Sequence, residues 1–243
     1  MGGNPYQGAS QAGASFVQRV REARRIAQPA ECNSSITDGP YRAVSIFPSL
    51  LLARFGIAPN VITIASGVLG LAGVVALGWR NYAVRLTGAL LLQASYLFDF
   101  VDGEVARLLH RISKRGFFID LICHGLIKSS LFLAVGYGVY GYNHRAWALV
   151  LAFVACIAVS SIHSLPFLVQ AAKVIDERAP DGVLRSTTST ITLVRNLLAT
   201  FPESPGIYGL VLLGALFDRL SWVVALYAIL APIWFLRKVI RFR

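Results

Sequence analysis

The chain has 243 residues, of which 56% are hydrophobic and 14% charged, against about a quarter charged in ordinary soluble domains. That composition excludes a soluble globular protein. The charge-free runs Phe55 to Trp79 and Ala146 to Ala172 exceed the roughly 20 apolar residues a helix needs to cross a bilayer, so the expectation is an all-α, polytopic membrane protein. About six spans account for the length, with no room for a separate soluble catalytic domain of about 100 residues or more. The net charge of +11 is explained by the positive-inside bias of membrane proteins, with no need for a nucleic-acid partner.

In chain order, residues 1–14 are rich in Gly, Ser, Ala and Gln and read as a disordered tail. Residues 15–58 form an amphipathic and juxtamembrane segment. Ser15 is a candidate N-cap, Phe16, Val17, Val20, Ala23 and Ala27 recur at near-helical spacing, and Arg19, Arg21, Arg24 and Arg25 supply the opposite polarity. Such a helix suits an anionic membrane surface, the plainer alternative being a solvated juxtamembrane helix. Gly39, Pro40 and Pro48 punctuate the approach to the membrane. The first apolar run comes after residue 42, so no signal segment is expected in the 40 residues before it.

Residues 59–243 read as a six-helix transmembrane catalytic domain. The spacing predicts spans from Pro59 to about Trp79, Tyr82 to Leu109, Gly116 to Tyr142 and Ala146 to Ala172. After a polar stretch from Lys173 to Ser186 comes a weaker fifth element, interrupted by Pro202 and Pro205 and ending near Phe217; Ser221 to Leu236 makes the sixth. Gly67, Gly70 and Gly73 line one side of the first span, a pattern of close helix packing. Trp79, Tyr82, Tyr140, Tyr142 and Trp147 mark span ends as an aromatic belt. Cys32, Cys123 and Cys156 form no zinc or disulfide pattern and read as small apolar residues. With six spans, 18 basic residues fall on the side that holds the loop after the second span and four on the other. That loop, and the Asp99 to Gly116 region, should face the cytoplasm.

Asp99, Asp102 and Asp120 lie inside or at the mouths of apolar helices, where an ionised carboxylate costs several kcal/mol unless paired or bound to a cation. On one helix Asp99, Asp102, Gly103 and Ala106 share a stripe; on the next, Gly116, Asp120, His124 and Lys128 recur every four residues. The short connection Leu108 to Arg115 makes the two helices antiparallel neighbours, so the stripes can face each other. Oxygen ligands at this density suit Mg²⁺ or Mn²⁺, cations that recruit substrate phosphates to complete their coordination. Gly103, Ala106 and Gly116 leave room for a diphosphate and Arg107 can contact it. An ion-pair lattice with Arg107, Arg111 and Lys114 would explain the charges but not the paired stripes.

Asp99-Phe-Val-Asp102-Gly103-Glu-Val-Ala106-Arg107, eight residues, then Gly116-Phe-Phe-Ile-Asp120-Leu-Ile-Cys-His124 resembles the signature of the CDP-alcohol phosphotransferases, with seven of its eight fixed positions matched. The opening Pro59-Asn60-Val-Ile-Thr63 is similar to that family's as well, and the resemblance covers about residues 40–130. It implies six transmembrane helices, a homodimer, and transfer of a phospho-alcohol from a CDP-linked donor to an acceptor hydroxyl with release of CMP, in membrane lipid or glycolipid synthesis. By position, Asp99, Asp102 and Asp120 would hold the metal, while Gly103, Ala106, Arg107, Gly116, Asn60 and Thr63 would line the cytidine diphosphate. The expected setting is a bacterial or archaeal plasma membrane.

The last signature position departs from the family: His124 stands where it has a fourth Asp, the metal contact and base toward the acceptor. Imidazole is a poor Mg²⁺ ligand, which counts against a second metal, but is well suited to act as a base near neutral pH. An enzyme with a histidine base, an enzyme with another base, and an inactive CDP-binding homologue all remain open. Lys128 could bind an anionic acceptor or pair with a site carboxylate, and Arg195, beside Asn196, is a second candidate for the acceptor pocket. Ser160, Ser161, His163 and Ser164 read as helix-to-helix hydrogen bonding; His110 and His144 read as interfacial residues. A rival class, a cation transporter using the intramembrane carboxylates, leaves Gly103, Ala106, Arg107 and Gly116 without a role.

Overall fold

The computed structural model describes residues 16–29, 38–144, 146–175 and 204–240. Within them the chain is helical: α1 (Phe16–Ala27), α2 (Gly39–Arg54), α3 (Pro59–Leu77), α4 (Tyr82–Leu108), α5 (Lys114–Asn143), α6 (Trp147–Ile175), α7 (Ser204–Leu216) and α8 (Leu220–Ile240). The 1–14 tail, Ser15, Cys32, Arg195 and most of the polar stretch after the fourth span lie outside the described residues. Helices α3, α4, α5, α6 and α8 are long and apolar enough to cross a membrane, and the protein is an integral membrane protein. The expected fifth span is represented among the described residues by α7, a shorter apolar helix described from Ser204 onward. Five helices long enough to span are thus found among the described residues.

The membrane character shows in what the helices leave exposed. On α3, Val61, Ile64, Val68, Leu71 and Val75 form an exposed apolar stripe, while Ile62, Thr63, Ser66, Val74 and Leu77 are buried. On α8, Trp222, Leu226, Ile229, Ile233, Leu236 and Ile240 are exposed and Val223, Val224, Tyr227, Ala228 and Ala231 are buried. An exposed face as apolar as the buried one is unlike a soluble helix, and suits one surrounded by lipid.

The chain divides into two units, residues 1–73 with 90–124, and residues 74–89 with 125–243. In the first, Ala23 and Ala27 of α1, Ile46 and Ala53 of α2, Ile62 of α3 and Val101, Val105 and Leu108 of α4 form one core. The segment read as punctuation around Pro40 and Pro48 is therefore a full helix: Pro40 lies in its first turn, where a missing N–H costs nothing, and Pro48 is tolerated inside it. Gly67 lets α3 approach α5 closely, since a methyl there would come within 2.6 Å of Cys123 Sγ. In the second unit, Gly136 allows the same on α5 against α6, where a methyl would meet Ala152 Cβ at 2.2 Å, and Phe132 packs on Tyr227 of α8 with ring centroids 5.0 Å apart. Ser129 and Ser160 share a hydrogen bond of 3.0 Å, and Arg85 pairs with Asp218. Cys156 is more than an apolar filler, because its thiol donates to the Ser129 carbonyl at 2.8 Å.

The turn after α4 sets how α5 is launched. His110, with φ of 52°, ends α4 in the left-handed conformation, where Arg111 N–H donates to Ala106 O at 2.8 Å and His110 N–H to Arg107 O at 3.2 Å. This is a Schellman cap with histidine in the place glycine prefers, so His110 has a backbone role beyond an interfacial one. Ser113 then caps α5, its Oγ accepting the Gly116 N–H at 3.0 Å, and the helix starts at Lys114 rather than Gly116. His110→Val is expected to lower the unfolding free energy by about 1–2 kcal/mol, and His110→Gly to leave it unchanged or raise it. Thermal unfolding in detergent reads the difference.

Candidate active site

All of the signature residues lie in the first unit. Helix α4 places Asp99, Asp102, Gly103 and Ala106 along one side of a cavity of about 320 Å³; Gly116 and Asp120 of α5 and Asn60 and Thr63 of α3 complete its lining, together with Arg107 and the turn residues Arg111 to Ser113. Every residue expected from the sequence to meet the donor therefore lines one cavity.

His124 Nε2 lies 2.7 Å from Asp99 Oδ1 and 3.4 Å from Asp120 Oδ1. These three side chains can present ligand atoms within 4.8 Å of one another, a cluster able to hold a metal ion. Asp102 lies close enough to Asp99 and Asp120 to feel their charge. It is 9% exposed, meets the Thr63 hydroxyl and the Gly103 backbone, and its Oδ2 is buried with no hydrogen-bond partner. A buried carboxylate oxygen left over beside two further carboxylates is the donor set a hard divalent cation requires, so the residues present suit such an ion.

Small residues here admit neighbours as well as a ligand. A methyl on Gly116 would come within 2.7 Å of Asn60 Oδ1 and 3.2 Å of Ser113 Oγ, so the space expected for substrate is in part taken by Asn60. A methyl on Gly103 would lie 3.4 Å from both terminal nitrogens of Arg107. The Arg107 guanidinium is anchored from behind, its Nε donating to Ala27 O of α1 at 2.6 Å. Phe100, also in the lining, stacks on Tyr41 and meets Tyr96 edge-to-face, and Tyr41 donates to Gln93. Burial, and after it the nearby Asp38, pushes the Tyr41 phenol above its ordinary pKa, which keeps it a donor.

The acceptor candidates are Lys128 and Arg195. Lys128 belongs to the second unit, buried, with its Nζ 3.2 Å from His163 Nδ1 of α6; Arg195 is outside the described residues. Sequence reasoning missed Glu104, 1% exposed, which accepts from Ser45, Ser49 and Gln28. The signal was available, since Glu104 is a third acidic residue in the same apolar helix as Asp99 and Asp102.

A helical membrane protein with acidic side chains gathered around one cavity, beside an arginine and paired glycines, is built to handle a charged ligand at the end of a span. The chain belongs to the CDP-alcohol phosphatidyltransferase family, whose model matches residues 56–234. Over 87 residues it is 37% identical to the archaetidylinositol phosphate synthase of Aeropyrum pernix, a stretch that is 34% of this chain and 43% of that protein. The chain thus spans less than half the length of that curated relative in the match. Its fold is similar to the crystal structure of the Mycobacterium tuberculosis phosphatidylinositol phosphate synthase with CDP-DAG bound, at a TM-score of 0.51 and 19% identity, covering 81% of this chain and 94% of that one.

Asp99→Asn and Asp120→Asn are each expected to weaken Mn²⁺ binding to the purified protein by at least about tenfold. Electron paramagnetic resonance titration of free Mn²⁺ measures this, and unchanged affinity in either variant would remove that residue from the metal-holding group.

Proposed function

We propose that the protein transfers a phospho-alcohol group from a CDP-linked donor to an acceptor hydroxyl, releasing CMP, with the cavity between α3, α4 and α5 as the donor site. The observation that carries this reading is the convergence of Asp99, Asp102, Gly103, Ala106, Arg107, Gly116 and Asp120 on one cavity, in a chain whose family is CDP-alcohol phosphatidyltransferases. Asp99, Asp102 and Asp120 would hold Mg²⁺ or Mn²⁺, which when bound offsets charge on the diphosphate and on departing CMP. Arg107 presents its terminal nitrogens to the same phosphates, a charge-assisted contact. Gly103 and Ala106 keep the α4 wall low enough for the diphosphate to approach, and Asn60 and Thr63 border the cavity from α3.

In the transfer step the acceptor oxygen attacks the β-phosphorus, the bond to CMP breaks, and His124 takes the hydroxyl proton. Nε2 is the nitrogen that faces Asp99 and Asp120, so it carries the N–H of the neutral ring and donates to Asp99; the hydroxyl proton goes to Nδ1, with Asp99 orienting the ring and stabilising the imidazolium. The relatives named as synthases of inositol-containing phospholipids make a CDP-linked lipid the first donor to try.

Metal-dependent binding of CDP by the purified protein tests the site, since a cation transporter has no use for the nucleotide. Asp99→Asn, Asp102→Asn and Asp120→Asn should each cut turnover by more than about a hundredfold with the fold retained. His124→Ala should cut it by about 10² to 10⁴ with CDP affinity largely kept. Normal turnover in that variant would assign the proton to another group; an inactive wild type with an active His124→Asp would make the protein a nucleotide-binding homologue.

The basic bias of the sequence supports a cytoplasmic site. Ile112, 77% exposed in the α4–α5 turn, reports on this without disturbing the Ser113 cap. In a background lacking the native cysteines, Ile112→Cys should resist a membrane-impermeant thiol reagent in intact cells and react after lysis. Reaction in intact cells would invert the orientation.

A further inference from the structure

Glu104 lies between Gly103 and Ala106, both of which line the cavity, but its own side chain is directed into the core, 1% exposed. Oε1 accepts from Ser45 Oγ at 2.5 Å and from Gln28 Nε2 at 2.8 Å, and Oε2 accepts from Ser49 Oγ at 2.6 Å. Gln28 Nε2 has two protons, and the second goes to Arg42 O of α2 at 2.7 Å. Just before Gln28, the Ala27 carbonyl ends α1 and receives Arg107 Nε. Two side chains of α4 three residues apart, on one face of that helix, thus grip two adjacent residues at the end of α1.

The consequence falls on Arg107. A free arginine side chain samples many rotamers, and ordering it against a ligand costs entropy. Committing Nε to a fixed carbonyl directs the other edge of the planar guanidinium outward, and the two terminal nitrogens are the ones that lie over Gly103 at the cavity. The Ala27 carbonyl can act as that stop while the end of α1 is held; core burial of Ala23 and Ala27 seats the helix, and Glu104 fixes its last turn through Gln28.

We propose that Glu104 and Gln28 are positioning residues for nucleotide binding: through the last turn of α1 they hold Arg107 in the orientation that receives a diphosphate. This rests on the cavity being the cytidine diphosphate site. The test is calorimetric titration of the purified full chain with CDP in saturating Mn²⁺, for wild type, Gln28→Ala, Arg107→Ala and the double variant, with Mn²⁺ affinity measured in parallel. Gln28→Ala should weaken CDP binding by about tenfold with Mn²⁺ affinity unchanged, because Asp99 and Asp120 do not depend on α1. The double variant should bind CDP no more weakly than Arg107→Ala alone, the mark of one residue acting through the other. Glu104→Gln, which keeps the side chain's shape, should shift CDP affinity in the same direction by a smaller factor, and takes the place of Gln28→Ala should that variant not fold. CDP affinity in Gln28→Ala within twofold of wild type, or losses that simply add in the double variant, would overturn the inference. A wild type that binds Mn²⁺ but not CDP would instead overturn the nucleotide reading of the cavity, and this inference with it.

Discussion

The constraint on which this structure turns is the cost of carboxylates in apolar helices. Each acidic residue near the middle of a span costs about 2.5–3.5 kcal/mol on insertion scales, and α4 and α5 together carry Asp99, Asp102, Glu104 and Asp120. A chain that keeps four must give each an environment, and the structure provides two kinds. Glu104 is surrounded by hydroxyl and amide donors and is fully buried. The three aspartates face a cavity, where His124 meets Asp99 and Asp120 and the Thr63 hydroxyl and Gly103 backbone meet Asp102. The first arrangement is sealed within the core, and the second opens on the cavity proposed here as the donor site.

Holding the aspartates together is a matter of how α5 is started. The antiparallel pairing of α4 and α5 depends on a five-residue turn, residues 109–113, closed by the left-handed His110 at one end and the Ser113 cap at the other. The start of α5 decides which of its faces looks back at α4, and Asn60, packed where a Gly116 side chain would be, ties that start to α3. Gly67, with Cys123 seated on it, repeats the contact two turns further along, immediately before His124.

The sequence carried the spans and the two chemical stripes openly, because both rest on helical periodicity and because charge is conspicuous in an apolar run. Ends were less readable. The spacing placed the third span at Gly116, while the Ser113 hydroxyl starts it at Lys114, a matter of local hydrogen bonding that hydropathy does not register. The segment around Pro40 and Pro48 read as punctuation, yet it is α2, since burial of Ile46 and Ala53 and the demand of Glu104 for Ser45 and Ser49 outweigh one proline in mid-helix. Glu104 itself went unread because its partners come from residues 55 to 76 positions away, and no local pattern announces them. Distance in sequence, rather than weakness of the interaction, hid it.

The signature gains a physical meaning once both of its faces are considered. Asp99, Asp102, Gly103 and Ala106 recur at i, i+3, i+4 and i+7 and line the cavity. Two residues on, Val101, Glu104, Val105 and Leu108 repeat the same spacing, and all four are 0–1% exposed. The positions that a chemical signature leaves open are therefore the packing stripe of the same helix, and the two stripes are rotated by a fixed angle. Whatever holds the packing stripe in register also aims the chemical one. An apolar stripe would resist translation only weakly, because one aliphatic contact resembles the next; a carboxylate with three directed donors has a single place where all are satisfied. Glu104 thus gives α4 a directional lock against α1 and α2, and Asp102 and Asp99, two and five residues before it, inherit its precision.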